Sequence, residues 1–326
     1  MTLRRIVVAG ASAGGVRALQ ELAAQLGPGF PAPVLAVQHI GSHASILPSL
    51  VMRTSGMPAS HAADGEEPKA GHLHLAPPDH HIVVQGGRIR LLHGPKENHA
   101  RPAIDPLFRS AAAEYGSGAI GVILTGLLDD GTAGLQAIKR GGGVAVVQHP
   151  SDAQEPSMPS SAMRFVDVDH AVPLAEIGAL LKRLLGEERP SVAPEPALTH
   201  ELELVHHQGD PVTHLMALGK PSTFVCPDCN GALWEVNGSR PQRYRCHTGH
   251  GFTLRSLQHA QSEATDTALW SAFRALQEKE MLLRSLANSE AAESVLPGEW
   301  LREADEVRRH AKALRCLLER VPAPPE

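Results

Sequence analysis

The first 186 positions alternate short runs that are apolar throughout with longer stretches in which apolar residues recur every three or four positions. The runs IVVAGA (6–11), VLAVQH (34–39), GAIGVILTG (118–126) and GVAVVQ (143–148) predict strands, and the patterns between them predict helices over 16–26, 104–115, 131–140 and 173–185. A strand that is apolar at every position is buried on both faces. Helices alternating with such strands provide the cover, so the expected fold is α/β, a doubly wound and mainly parallel sheet. The stretch 72–93 departs from this rhythm. Its short alternating runs around PPD and QGG predict an antiparallel hairpin.

Beyond residue 186 the pattern changes. GEERPSVAPEPALTH has three prolines among polar residues and no periodicity, which reads as a linker over 187–200. A small Cys/His-bearing module (201–252) follows, then a helical extension (253–326) with helices expected from Thr253 to Ser289 and over 298–320. In the second helix Trp300, Ala304, Val307, Ala311, Leu314 and Leu318 form one apolar seam, which an intramolecular helical hairpin or an intermolecular coiled coil would bury. Residues 1–186 are the expected catalytic or binding domain.

Charge and composition narrow the functions. A net charge of -5 gives no general attraction to phosphate backbones or anionic membranes, and with 3% aromatic residues a nucleic-acid role through the Cys/His module ranks last. Apolar stretches such as GAIGVILTGLL are too short for a membrane span, and the N-terminus enters a strand without the apolar core of a signal peptide, so a cytoplasmic protein without membrane insertion is expected. Four cysteines in a reducing compartment argue against disulfides. Three of them cluster, and the lone Cys316 reads as a small core residue.

The turn GASAGG (10–15) between the first strand and helix is where the chemistry concentrates. A dinucleotide fingerprint needs a second glycine where Ser12 stands and a carboxylate where the next strand ends in Gln38 and His39, and a P-loop needs a Lys-Ser or Lys-Thr pair. GASAG does match GxSxG, in which a sharp strand-to-helix turn exposes a serine hydroxyl. Such a serine needs a base, and the base needs an orienting partner. His39 at the end of the second strand and the Asp129-Asp130 pair after the third would reach the same edge of a parallel sheet. The bland readings are a turn serine, one histidine among 19, and Asp130 as the cap of the helix after Gly131.

The segments VVAGASAGG, VLAVQHI, NHARPAIDPLF, ILTGLLDDGTAG and VVQHPSDAQEPSMPSSA, in this order across residues 4–186, resemble the catalytic domain of the chemotaxis protein-glutamate methylesterases, the CheB type. The resemblance implies a serine hydrolase that demethylates glutamate methyl esters of chemoreceptor-like proteins, with glutamine deamidation as a related activity and no cofactor for catalysis. It assigns Ser12 as nucleophile, His39 as general base and Asp130, which precedes the glycine of the family's DG pair, as the orienting carboxylate. Backbone N–H groups near Ala13 and Leu127 are candidates for the oxyanion site, and Asn98 and Arg101 for the substrate cleft, with a loop-stabilising contact as the alternative for the latter pair. The family commonly has Thr after the serine and Met-Gly before the acidic pair, where this chain has Ala13 and Leu127-Leu128. Familiar members also carry an N-terminal receiver domain. With the sequence opening on the catalytic strand, activity is expected to be constitutive or controlled in another way, with the C-terminal half as the candidate for control.

In that module CPDCNG and CHTGH have the spacing of a zinc ribbon, with Cys226, Cys229, Cys246 and His250 as the four ligands and His247 as second choice. Four protein ligands make the site structural, not catalytic. The helices after it are candidates for self-association or for a signalling partner. A non-catalytic signalling adaptor working through the ribbon and helices is the alternative function.

Overall fold

A computed structural model describes residues 5–41, 43–187, 189–190, 192–193, 195–288 and 297–319. It divides into two compact units, Met1–Leu257 and Gln258–Glu326. The expected helix ends at Ser289 and Arg320 lie outside the described residues.

The first unit opens with β1 (Ile6–Ala11), α1 (Gly15–Leu26), β2 (Val34–Gln38), α2 (Leu47–Ser55), β3 (Ala59–His61) and β4 (Leu73–Leu75). A hairpin of β5 (His81–Gln85) and β6 (Arg88–Leu92) precedes α3 (Ile104–Tyr115), β7 (Ala119–Ile123), α4 (Thr132–Arg140), β8 (Val144–Gln148), α5 (Ser157–Phe165), β9 (His170–Val172) and α6 (Leu174–Leu184). Seven strands form one parallel sheet in the order β3-β4-β2-β1-β7-β8-β9. Side chains alternate across it with period two. Val7, Ala9, Val34, Ala36, Ile120, Val122, Val144 and Val146 pack with α1, α2 and α6 on one face. Ile6, Val8, Leu35, Val37, Ile123, Ala145 and Val147 pack with α3, α4, α5 and the β5–β6 hairpin on the other. Both-face burial is why these strands read as unbroken apolar runs.

The 72–93 stretch divides differently from the expectation. Only HIVVQGGRIRLL makes the antiparallel hairpin, whereas Leu73–Leu75 is an inner strand of the parallel sheet, paired with both β2 and β3. Three residues are too few for periodicity to separate the two roles.

The segment expected to be a linker becomes helical at Pro196. Helix α7 (Pro196–Val205) is followed by α8 (Pro211–Leu218) and a four-stranded antiparallel sheet of β10 (Gly219–Val225), β11 (Ala232–Val236), β12 (Arg243–Cys246) and β13 (Gly251–Thr253). These elements belong to the same compact unit as the parallel sheet. The reason is a buried ionic cluster. Arg109 of α3 donates to both oxygens of Glu97 at 2.6 Å, Arg245 of β12 donates to Glu97 at 3.0 Å and to Glu201 of α7 at 3.2 Å, and Arg243 grips Glu201 at 2.7 and 2.8 Å. Burial would raise both glutamates, but the guanidinium charges outweigh it and hold them below the ordinary carboxylate range.

The second unit consists of most of α9 (Leu254–Ala287) and α10 (Pro297–Leu318). Ala304 and Val307 of α10 are buried against Leu283 of α9, with Leu276 and Trp300 at the margin, so α9 covers the first half of the seam read from the sequence. Cys316 is exposed, not a core residue. It lies two positions short of the buried Leu318, off the face that carries Ala304, Val307 and Ala311.

Removing one member of a buried charge cluster strands the others. Glu97→Gln is therefore expected to lower the urea-unfolding stability of the full chain by about 3 kcal/mol. An unchanged midpoint would show that the cluster contributes no net stability.

Candidate active site

Strand β1 pairs with β2 on one side and β7 on the other, so the chain departs from it in opposite directions and leaves a crevice at the carboxyl ends. Ser12 follows β1, His39 follows β2, and the turn 124–131 follows β7. Backbone bonds from Ser12 N–H to Thr125 O and from His39 N–H to Ala11 O, both 3.0 Å, lock these three exits together. Gly14 holds the left-handed conformation (φ 77°) that starts α1. A Cβ on Gly126 would stand 2.8 Å from the Ser12 Cβ, so only glycine lets the β7 turn lie directly against the serine.

The structure brings Ser12, His39 and Asp130 into one relay. His39 Nδ1 is 3.1 Å from Ser12 Oγ and Nε2 is 2.8 Å from Asp130 Oδ2. An ionised carboxylate only accepts, so Nε2 carries the proton and the bare Nδ1 faces the hydroxyl. The imidazole is 21% exposed and the carboxylate 3%, which places the open side of the relay at the serine.

Asp130 accepts five hydrogen bonds. Oδ2 takes the His39 Nε2–H and, at 2.7 Å, the Ile104 N–H. Oδ1 takes the Asn98 amide at 2.8 Å, the Gly131 N–H at 2.9 Å and the Asp105 N–H at 3.3 Å. Ile104 and Asp105 open α3, so the carboxylate sits at the positive end of a helix other than the one it precedes. Burial would raise Asp130, but the hydrogen bonds from His39, Ile104 and Asn98, joined by the charge of the imidazole when it is protonated, outweigh it and hold the group below the usual aspartate range. Its neighbour Asp105 goes the other way. Burial first, then the negative charge of Asp130, push the Asp105 carboxyl up to about 7, against the opposing pull of Arg109 and the Gly134 N–H.

The remaining residues singled out in the sequence divide. Ala13 follows the serine and Leu127 follows Gly126, which lies against it, and neither backbone N–H has a partner among the described residues. Asn98 is not in a cleft. It is buried behind Asp130, with its amide shared between Asp130 and Asp105. Arg101 is also turned away, donating to Asp79 at 2.7 and 2.8 Å and to Gly94 O at 2.6 Å, the loop-stabilising alternative. Leu128 stands where the family commonly has glycine and has φ 59°, the left-handed region that costs a leucine about 1–2 kcal/mol. Asp105 and Gln38 escaped sequence reasoning. The Gln38 amide donates to the Ser12 carbonyl at 2.8 Å and holds the serine turn; no local motif marks either residue.

Among the described residues, two groups of side chains could hold a metal. Cys226, Cys229, Cys246 and His250 gather with all ligand atoms within 4.8 Å of one another. Cys229 Sγ to Cys246 Sγ is 3.6 Å and Cys246 Sγ to His250 Nδ1 is 3.5 Å, against edges of about 3.8 and 3.6 Å for a tetrahedral zinc site with ordinary bond lengths. The donor set therefore fits zinc. His247, the second choice, is exposed and packs beside Gly231 outside this group. The second group is His200, Glu203 and His214 on α7 and α8. Three of its four ring nitrogens are engaged with other protein groups: His214 Nε2 bonds to Gln208 O at 2.8 Å, and the two Nδ1 atoms are 3.0 Å apart.

The two aspartates have opposite linkage. Asp105, raised above its ordinary 3.8, contributes stability that is complete below that value and lost as pH rises through about 7. Asp130, lowered, contributes stability that is present above 3.8 and lost as pH falls through its depressed value. Carboxyl carbon NMR of the full chain should show Asp105 titrating near pH 7 while Asp130 stays flat from pH 5 to 8. An Asp105 midpoint near 4 would contradict the coupling.

The sequence profile of the CheB methylesterase family matches residues 7–181, more than half of the chain. A Leptospira interrogans protein, provisionally named protein-glutamate methylesterase/protein-glutamine glutaminase, is 38% identical over 184 residues, covering 55% of this chain and 93% of its own. Protein-glutamate methylesterase/protein-glutamine glutaminase 2 of Anaeromyxobacter dehalogenans is 37% identical over 180 residues, and this chain spans about half of its length (53%) and is itself covered to 55%. The crystal structure of the Thermotoga maritima CheB methylesterase catalytic domain superposes with a TM-score of 0.53 at 35% identity, covering 56% of this chain and 98% of that one. All of the parallel sheet but Ile6, its serine turn and the acidic turn after β7 fall within the matched span, and the chain belongs to the CheB methylesterase family.

Proposed function

We propose that this chain is a serine hydrolase that cleaves glutamate methyl esters on chemoreceptor-like proteins and, by the same acyl chemistry, glutamine side-chain amides. The relay from Ser12 Oγ through His39 to Asp130 is the observation that carries this reading. His39 Nδ1 takes the Ser12 proton as Oγ attacks the ester carbonyl, and returns it to the departing methanol. A water molecule then attacks the acyl-serine, again losing its proton to Nδ1, and the glutamate carboxylate and Ser12 hydroxyl are released. Ammonia replaces methanol in the amide reaction. Asp130 keeps the proton on Nε2 and stabilises the imidazolium as it forms. The Ala13 and Leu127 N–H groups, which have no partner among the described residues, are assigned to the developing oxyanion. An adaptor with no chemistry would not need a buried, ionised Asp130 held by five donors.

Cys226, Cys229, Cys246 and His250 would hold one zinc ion, which with four protein ligands supplies stability to the small antiparallel sheet and no open position for substrate. For the C-terminal helices, the packing of Leu276 and Leu283 on the seam favours the intramolecular hairpin over self-association through it. Among the described residues no helix is long and apolar enough to cross a membrane.

Methanol release from a methylated receptor fragment tests the reaction. Ser12→Ala should reduce it on the order of 10⁴-fold or more if the three groups act as a unit; equal turnover by wild type and variant would remove Ser12 from the mechanism. Metal analysis of the purified full chain should find one zinc per chain, lost in Cys229→Ser. Zinc retained by that variant would contradict the ligand assignment.

A further inference from the structure

The segment that follows the Cys/His knuckle reaches the catalytic carboxylate. Gly251 and Asn98 are joined through the main chain, Asn98 N–H donating to Gly251 O at 2.8 Å and Gly251 N–H to Lys96 O at 3.3 Å. Asn98 itself has φ 50°, a left-handed conformation that asparagine tolerates better than most residues and that here turns its side chain between two acidic loops. Its amide donates to Asp130 and Asp105. Its carbonyl oxygen accepts from the Thr253 N–H and the Ser256 hydroxyl, both at 3.0 Å.

Thr253 and Ser256 are also the start of α9. Ser256 N–H donates to Thr253 Oγ1 at 3.1 Å and Thr253 N–H to Ser256 Oγ at 2.9 Å, the reciprocal exchange of a capping box. The Thr253 hydroxyl goes on to Asp129 Oδ1 at 2.7 Å. One helix cap thus holds both Asn98 and the residue next to Asp130, and all of these groups are buried. A lone asparagine could pivot and present its carbonyl oxygen to Asp130. With two donors fixed on that oxygen, only the amide can face the carboxylate.

We propose that Asn98 is a positioning residue for Asp130 and that the C-terminal segment Gly251–Ser256 sets its orientation, which makes this segment part of the support of the hydrolytic site. Removing the clamp lets the amide turn, weakens the hold on Asp130 and lowers the reactivity of Ser12 through His39.

This inference rests on the hydrolase reading, so the test uses a readout that does not depend on the natural substrate: the second-order rate at which a fluorophosphonate probe labels Ser12 in the full chain. Ser256→Ala should slow labelling about tenfold, the worth of roughly one hydrogen bond. Ser256→Thr, which keeps the hydroxyl, should restore it. Asn98→Ala should slow labelling at least as much, and the double variant no further than Asn98→Ala alone, because Ser256 acts through Asn98. Wild-type labelling in Ser256→Ala, equal losses in the Ala and Thr variants, or losses that multiply in the double variant would each overturn the proposal. No labelling of the wild type would instead refute the hydrolase reading. A simple loss of folding is separated by the Thr rescue, since a destabilised helix start would slow labelling without the saturation of the double variant.

Discussion

A carboxylate that is 3% exposed and still ionised must be surrounded by donors, and this requirement organises the catalytic half of the chain. Asp130 draws in the first turn of α3, the following Gly131, Asn98 from the loop before α3, and His39 from the end of β2. Each of these bonds has a structural consequence. The α3 bonds fix the helix against the β7 turn, and the His39 bond aims the imidazole at Ser12. With the proton committed to Nε2, the remaining ring nitrogen can only be a base. The same burial that raises the cost of the charge also separates the two acidic neighbours, leaving Asp130 ionised and Asp105 raised to about 7.

The second constraint is the cluster of three arginines and two glutamates between α3, α7 and β12. Charges without partners are far too costly to bury, so neither side of this contact is complete alone. The antiparallel sheet is thereby held against the loop that carries Glu97, and the next residue in that loop is Asn98. Fold stability and the geometry at Asp130 therefore share a short stretch of backbone. The Cys/His cluster, through Cys246 and His250, lies on the same chain segment as Arg245 and Gly251.

Much of this was legible in the sequence because it is local. Strands buried on both faces appear as apolar runs, GxSxG marks the serine turn, and the cysteine spacing marks the knuckle. Three strand ends on one edge of a parallel sheet brought Ser12 and His39 together with the Asp129-Asp130 pair, and the resemblance to the methylesterases picked Asp130 from it. What escaped was non-local. Glu97 and Arg245 are 148 positions apart, and nothing around either one announces the other. Asn98 looks like a polar residue ready for substrate, and only the fold shows that it faces inward. Leu73–Leu75 is too short to betray its partners. Pro196 begins a helix in a proline-rich stretch because proline at the first helical turn gives up no internal hydrogen bond.

The central claim is that Asp130 fixes His39 with its proton on Nε2 and Nδ1 bare toward Ser12. Nitrogen-15 NMR of the imidazole in the full chain at neutral pH tests this most directly. The expected spectrum shows a protonated Nε2 and an unprotonated Nδ1 for His39, lost when Asp130 is replaced by asparagine. A proton found on Nδ1 in the unaltered protein would contradict the relay and the chemistry drawn from it.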